Sequence, residues 1–481
     1  MTIKVKHSLL AASVAVALAS PMTVLATNGM NMEGWGPIAT GMGGASMAYD
    51  NGVAAIMNNP ATLGLMDDGE GRLDVALGHL SPDINNSFSP APDAKSGGDS
   101  YYMPAAGYAV RSGQLTYGVG MFAQGGMGTE YDATSFLAAG SGEAVRSEVG
   151  VGRLVAPIVY NLNKDITVGG SIDYVWGGMD LKMALAGAQL WDFTDANLQN
   201  AGIATGGIVA GLQGMMGGAT LSNYATQIDP TTGVVTGDSG ALLQGARFDF
   251  SNQSDISGEA KGAGISGKLG MTYKVNKNLT VGASYHMKTN MGDLETNDAA
   301  LAVTLNGTPT TVTGKIAVND FQFPAQFAFG MAYKQDKWMI AADVKVIQWA
   351  DVMDSFRMTF VADNIPANGP FAGQDLNVEM FQNWDDQTVI QVGGAYKVTS
   401  ATTLRAGVNN ASNPVPNATV NPLFPATVES SYTLGVGHAI TKKSEVNFSM
   451  TIAPEVEVTG GSGVTTTHAQ TNWQLMYTQK F

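Results

Sequence analysis

Alternation of apolar and polar residues is the dominant pattern along this chain. Leu279, Val281, Ala283, Tyr285 and Met287 fall on one face of an extended segment, and Thr280, Gly282, Ser284, His286 and Lys288 on the other. Val446, Phe448, Met450 and Ile452 oppose Asn447, Ser449 and Thr451 in the same way. A period of two with one apolar face marks a half-buried β-strand. Such strands come in pairs around a recurring polar turn. Tyr160-Asn161-Leu162-Asn163-Lys164-Asp165 leads into Ile166-Thr167-Val168, and Tyr273-Lys274-Val275-Asn276-Lys277-Asn278 leads into Leu279-Thr280-Val281. Tyr396-Lys397-Val398-Thr399-Ser400-Ala401 leads into Thr402-Thr403-Leu404, with looser copies at residues 108–114, 333–338 and 438–445. Each copy reads as strand, tight turn, strand.

The connections alternate in length. Short turns fall near residues 111–114, 163–165, 276–278, 335–337, 399–401 and 441–444. Long connections fall near residues 89–99, 125–143, 185–245, 296–310, 362–386 and 413–429. Short turns at one end and long loops at the other predict an all-β fold, a transmembrane antiparallel β-barrel of about fourteen strands spanning residues 72–481, with both ends of the barrel on the periplasmic side. A soluble sandwich shows the same alternation, with the apolar face against a second sheet. The two chain ends favour lipid. Trp473, Leu475, Tyr477 and the terminal Phe481 share one face of a last strand, opposite Gln474, Thr478 and Lys480. A terminal aromatic closing such a strand is similar to the signal read by the outer-membrane assembly machinery. At the other end, Lys4 and Lys6 precede a short apolar run from Leu9 to Ala19, and Val24-Leu25-Ala26 follows. That order predicts a cleaved secretory signal over residues 1–26, because the apolar run is too short for an anchor helix.

Composition sharpens this picture. The chain has 60 glycines, only 14% charged residues and a mean hydropathy of +0.03. A soluble α/β enzyme of this size carries more charge and longer helical periodicity. The net charge of −15 and the absence of a basic cluster beyond the leader exclude a nucleic-acid partner. With no cysteine there is neither a disulfide framework nor a lipidation site. His79, His286, His438 and His468 show no metal spacing. Ser284 and His286 share a strand face, but two polar residues on a lumen face are expected without catalysis. The reading is therefore not an enzyme, with no metal and no cofactor.

Two segments break the strand pattern. Residues 27–71 are rich in Gly, Ala, Met and Asn, and are long enough to fold back inside the barrel as a plug. In the connection at residues 185–245, the stretch 185–198 reads as a helical turn or two, and Ile203 to Met216 is apolar and glycine-rich. That stretch is either a landing site for a greasy ligand or a lid packed over the barrel mouth.

The chain resembles the FadL/TodX family of outer-membrane transporters for long-chain fatty acids and aromatic hydrocarbons. The resemblance is carried by Gly41-Met42-Gly43-Gly44-Ala45-Ser46-Met47-Ala48-Tyr49-Asp50 and Asn59-Pro60-Ala61, similar to the family's N-terminal hatch and its motif. It continues through Gly125-Gly126-Met127-Gly128-Thr129-Glu130-Tyr131-Asp132, similar to the end of the third strand. Phe323-Pro324-Ala325 with Trp338 and Trp349, then Arg405-Ala406-Gly407 with Pro414, Pro416 and Pro422, follow in the family's order. The resemblance implies a fourteen-stranded barrel with an N-terminal hatch over residues 27–71. It also implies capture of hydrophobic ligand on outer loops, binding in the lumen and sideways exit to the lipid where the third strand kinks. It places the kink at Gly125, Gly126 and Gly128 and the hatch motif at Asn59, Pro60 and Ala61; Met30 and Met32, close to the mature N-terminus, are candidate pocket contacts by their position. Methionine adapts to varied apolar shapes; a frayed terminus is the alternative for these two. The basic residues that hold a fatty-acid carboxylate in the family have no clear match; Lys182 lies one position from one of them. Substrates are thus fatty acids or neutral hydrocarbons, and the partners are that ligand, outer-membrane lipid and lipopolysaccharide. A passive porin for polar solutes and a structural or adhesive surface barrel are the other readings. A porin has a charged, water-filled lumen and no hatch.

Overall fold

A computed structural model of the chain describes residues 28–187, 207–216, 221–223, 241–253 and 258–481. The expected signal at residues 1–26 and most of the connection at 185–245 lie outside these residues. In chain order the strands are β1 (Gly71–Ser87), β2 (Ala94–Lys95), β3 (Tyr101–Ser112), β4 (Leu115–Tyr131), β5 (Val145–Asn161), β6 (Ile166–Ala186), β7 (Leu221–Asn223) and β8 (Ala241–Phe250). Next come β9 (Ala260–Lys274), β10 (Leu279–His286), β11 (Asn290–Met291), β12 (Leu294–Leu305), β13 (Thr308–Asn319), β14 (Gln326–Gln335) and β15 (Trp338–Ile347). The last are β16 (Ser355–Ala362), β17 (Asp375–Phe381), β18 (Gln387–Lys397), β19 (Thr402–Ala411), β20 (Ser430–Ala439), β21 (Ser444–Thr459) and β22 (Thr465–Lys480).

All belong to one sheet that closes on itself. Antiparallel pairing runs from β1 through β3, β4, β5, β6, β9, β10, β14, β15, β18, β19, β20 and β21 to β22. β22 then pairs with β1 from Arg72↔Lys480 to Ser87↔Thr465. Closure joins the last strand to the first, so the circuit has no terminal edge strand, as an all-β chain in lipid requires.

The sheet corrects three of the expected loops and holds more strands than the about fourteen that the alternation of connection lengths predicts: among the described residues there are 22, of which the closed circuit traced above takes in fourteen. The surplus comes from connections that are themselves strands. Residues 296–310 form most of the β12–β13 hairpin, turned by Asn306 and Gly307 at φ 49° and 78°. That Asn-Gly pair is a strong hairpin signal. Residues 362–386 contain β17, which pairs with β16, and residues 125–131 continue β4 instead of starting a loop.

The outer face is apolar. Leu73, Val75 and Leu77 on β1, Phe327, Phe329 and Met331 on β14, and Leu475 on β22 are exposed. Tyr108, Tyr117, Tyr160, Tyr273, Tyr333, Tyr396 and Tyr477 all project outward near the short turns. A tyrosine belt at one rim of an apolar band is the signature of a membrane interface. Phe481 joins this rim: its N–H donates to the Gly71 carbonyl at 2.9 Å and its ring meets Tyr108 edge-on.

The inner face is polar, and residues 28–70 lie against it. Glycines on the wall make the approach close. Methyl groups at Gly282 or Gly393 would overlap the carbonyls of Met47 or Met42. Hydrogen bonds then fasten the segment. The Asp343 carboxylate accepts from the N–H groups of Ser46 (2.6 Å) and Met47 (3.1 Å), and Asp74 accepts from Val53 N–H at 2.7 Å. Arg72 holds Asp50 bidentately at 2.7 and 2.9 Å. Toward the long connections an apolar cluster fills the barrel, including Phe323, Trp349, Phe360 and Trp384. The helix Gly207–Met215 adds Leu212 and Met215 to that cluster, which favours the packed-lid reading of this apolar stretch.

Candidate functional site

Strand β4 departs from regularity at Gln124. Before it, even-numbered residues face inward: Thr116, Gly120 and Phe122 are buried. After it, the inward set is odd: Thr129 and Tyr131 reach across the lumen to the Leu423 and Pro422 carbonyls at 3.3 and 2.8 Å. The β4–β5 register shifts between Ala123 and Gly125 accordingly. This is a β-bulge, which bends the strand and flips the faces beyond it. The flip explains why the period-two pattern ends at this point of the sequence while the strand does not.

The bulge separates β4 from β3. Their ladder runs from Ser112↔Leu115 only to Ala106↔Met121. Above that point β3 remains paired with β1, from Ala76↔Ala105 to Leu80↔Tyr101. The freed edge of β4 would leave buried backbone groups without partners, a substantial cost. Residues 28–35 supply those partners. Gly126 N–H donates to the Met30 carbonyl (3.1 Å), Met32 N–H to the Gln124 carbonyl (3.4 Å), and Trp35 Nε1–H to the Ala123 carbonyl (2.9 Å). Higher up, Gly97 N–H donates to the Glu130 carbonyl at 2.8 Å. The seam between β3 and β4 is therefore closed by non-neighbouring chain, not by a strand ladder.

A cavity of about 40 Å³ lies on the inner side of this seam. Met32, Trp35, Met103, Phe122 and Met476 form most of its apolar lining, with Asp74 and Gln474 as its polar side chains. No Lys, Arg or His lines it.

The neighbouring wall is fastened by charge. Asp173 on β6 accepts from Arg153 of β5 at 2.7 Å and from Lys268 of β9. Arg153 also donates to the Gln124 side chain, and Gln124 donates to Asn31 at 3.2 Å. A buried polar chain thus runs from the bulge across β5 and β6 to β9. Low dielectric strengthens such a network when its members are paired.

Glu33 pins the other side of residues 28–35. Its carboxylate accepts from Ser431 (2.7 Å) and Thr451 (2.5 Å), while its backbone carbonyl accepts from Gln391 (2.7 Å) and Lys345 (3.3 Å). Burial pushes the Glu33 carboxyl up to about 7, against those two hydroxyl bonds and the Lys345 charge.

The residues singled out in the sequence divide between this site and elsewhere. Gly125, Gly126, Met30 and Met32 come together at the seam. Gly128 lies under the Tyr101 hydroxyl further along β4. Asn59, Pro60 and Ala61 sit deeper in the lumen, where Asn59 caps the 3₁₀ helix Pro60–Leu65 by accepting from Ala61 N–H at 3.1 Å. The Asn59 amide donates to the Met47 carbonyl (2.7 Å) and to Met271 of β9 (3.2 Å), tying the segment to itself and to the wall. Lys182 lies at the far end of β6, 3.9 Å from Asp249, and lines neither cavity near Met32. Ser284 and His286 hold the inner segment: Ser284 contacts the Met47 sulfur at 3.2 Å, and the His286 ring lies 2.9 Å from the Asn58 carbonyl. Sequence reading missed Glu33, Trp35, Gln124 and the Arg153–Asp173–Lys268 cluster. The local signal for Gln124 was the change of inward parity; the others carried none.

Residues 11–478 match the family described as outer membrane protein transport protein (OMPP1/FadL/TodX). The crystal structure of the toluene transporter TodX of P. putida is 28% identical, with a TM-score of 0.76, covering 93% of this chain and 99% of that one. The Ralstonia pickettii toluene transporter TbuX is also 28% identical, with a TM-score of 0.70 and the same coverages. A FadL homologue of Pseudomonas aeruginosa shares the fold at 14% identity, with a TM-score of 0.64 over 96% of this chain and 99% of its own. An uncharacterised Chlorobium limicola protein, described by its place in the 5′ region of a phosphoenolpyruvate carboxykinase gene, is 49% identical over 72 residues. That match spans 14% of this chain and 36% of that protein.

Proposed function

The chain belongs to the OMPP1/FadL/TodX family of outer-membrane transport proteins, and on that premise we propose that it carries small, neutral hydrophobic molecules and releases them sideways between β3 and β4. Residues 28–70 act as the hatch. Long connections, the apolar cluster beneath them and then the cavity form the path. Lateral release keeps an apolar solute out of water on its way to lipid.

The observation that carries this reading is the coincidence of two features: the β3–β4 ladder stops at Ala106↔Met121, and the cavity lies behind the same stretch of wall. Its lining supports a neutral substrate. A buried carboxylate ligand needs a paired cation, and the cavity offers Asp74 instead. The toluene transporters TodX and TbuX support the same substrate class. An apolar cavity of roughly 150 Å³ holds benzene, so the cavity must widen to admit a ring. Met32, Met103 and Met476 are the adaptable walls for that change.

Uptake of radiolabelled toluene and of oleate, in a strain lacking the protein and in the complemented strain, tests the proposal. Complementation is expected to restore toluene entry and leave oleate unchanged. Oleate entry without toluene entry overturns the neutral-substrate reading. Steady small-ion conductance by the intact barrel, unaltered by deleting residues 28–67, overturns the hatch and favours a porin.

A further inference from the structure

We infer that the Trp35 indole is the latch that holds the hatch against the open edge of β4. The backbone of Trp35 is clamped to the body of the inner segment from both sides. Its N–H donates to Asn58 Oδ1 at 3.1 Å, and its carbonyl accepts from Asn58 Nδ2 at 2.8 Å. Asn58 is buried and also bonds Asn51 and the Ala54 carbonyl, so this clamp belongs to the fixed part of the hatch. From that base the indole reaches out and donates to the Ala123 carbonyl, one residue before the bulge. Trp35 thus joins the hydrogen-bonded body of the hatch to the strand whose ladder with β3 stops short.

Position makes the contact responsive to cargo. Trp35, Phe122 and Ala123 all line the cavity, and Met32 lines it beside them. A ring that widens the cavity must move some of these groups. Displacing the indole removes the Ala123 bond; displacing Met32 removes the bond to Gln124. Residues 28–32 then keep only the Gly126–Met30 bond along the β4 backbone. Occupancy of the cavity and release of the seam are coupled through Trp35, with Met32 beside it. Trp35 is a positioning residue: its indole N–H holds the strand edge and transforms nothing. The consequence for transport rests on the function proposed above; the latch itself rests only on the geometry.

Two readouts test it on the full-length barrel in lipid nanodiscs and in cells. Hydrogen–deuterium exchange reports the latch directly. Trp35→Phe keeps an aromatic ring and removes the donor. It is expected to speed exchange at the Met32 and Gly126 amides by roughly fivefold, the weight of one neutral hydrogen bond, while the Thr62 amide in the 3₁₀ helix Pro60–Leu65 is unchanged. Unchanged exchange at Met32 and Gly126, or equal acceleration throughout residues 28–70, overturns the latch. If Trp35→Phe does not assemble, benzothienylalanine at position 35 preserves the bicyclic shape without the N–H and is held to the same outcomes. In cells, the maximal rate of toluene uptake per surface-displayed barrel is expected to rise, with half-saturation unchanged. A structural role alone lowers that rate. Failure of the unaltered protein to restore toluene uptake defeats the transport reading, and exchange still decides the latch.

Discussion

Two seams of the same barrel are built in opposite ways. β5 and β6 pair over 16 positions, from Arg146↔Lys182 to Asn161↔Thr167. β3 and β4 pair over 7, although β4 is as long as β5, at 17 residues each. The first seam has a buried ionic cluster on its inner side, Arg153–Asp173–Lys268. The second has an apolar cavity. Backbone ladders in lipid are almost obligatory, so a gap survives only where other chain satisfies the freed groups. The hatch does this for Ala123, Gln124 and Gly126. The contrast teaches that the weak seam is not a defect of strand length. It is a strand edge transferred from a neighbouring strand to a segment inside the barrel.

The largest effect is expected at the strong seam. Asp173→Asn leaves Arg153 and Lys268 buried beside a neutral amide. Breaking a buried pair in this way costs about 3–5 kcal/mol, and urea unfolding from lipid vesicles is expected to show a loss of that order. Toluene uptake per folded barrel stays near that of the unaltered protein, because this seam is a fastening. A normal unfolding midpoint removes the distinction between the seams.

A matched pair of glycines probes the weak seam. A side chain at Gly125 would overlap the Met30 carbonyl, whereas one at Gly150 on β5 meets nothing within 4 Å. Gly125→Val is expected to unseat residues 28–31, giving a small-ion leak and roughly fivefold faster toluene entry at low concentration, the scale of one lost hydrogen bond. Gly150→Val changes neither. Identical behaviour of the two variants shows that residues 28–31 do not guard the gap. Gly126 is the poorer probe, because its side chain would strike the Val149 carbonyl of β5 and disturb the wall itself.

The smallest effect is set by pH. The Glu33 carboxyl is raised from 4.5 to about 7, so the docked hatch holds its proton where an undocked one releases it. Docking is then firmest below about 4.5, loosens as pH rises toward 7, and is constant above that. After correction for intrinsic rates, exchange at Met32 is expected to quicken between pH 5 and 7.5, and Glu33→Gln to flatten the profile. A flat profile in the unaltered protein refutes the assignment.

Much of the wall was legible in the residues themselves. The outward rows on β10, β21 and β22 follow from alternation, and the tight turns from Asn, Asp, Lys and Ser between apolar runs. The break in the strand pattern over residues 27–71 followed from composition, and residues 28–70 lie against the inner face of the wall. The strand edge near Gly125 was located too, but as a strand end in the local pattern, because a bulge and a terminus both interrupt a period of two. The Asn306-Gly307 hairpin was readable and was passed over within an expected long loop. Glu33 and Trp35 had no comparable signal. Their partners, Thr451 and Ala123, stand 418 and 88 positions away.

The sequence by itself determined which residues form strands and which of their faces is apolar, since each depends on neighbours two positions apart. Only the tertiary structure decided where the ladder breaks, what completes the broken edge, and that Asp173 gathers cations from two other strands. Those outcomes depend on closing the ring with a segment inside it. Closure brings together backbone and side-chain groups that no periodicity along the chain connects, and burial then requires each of them to find a partner.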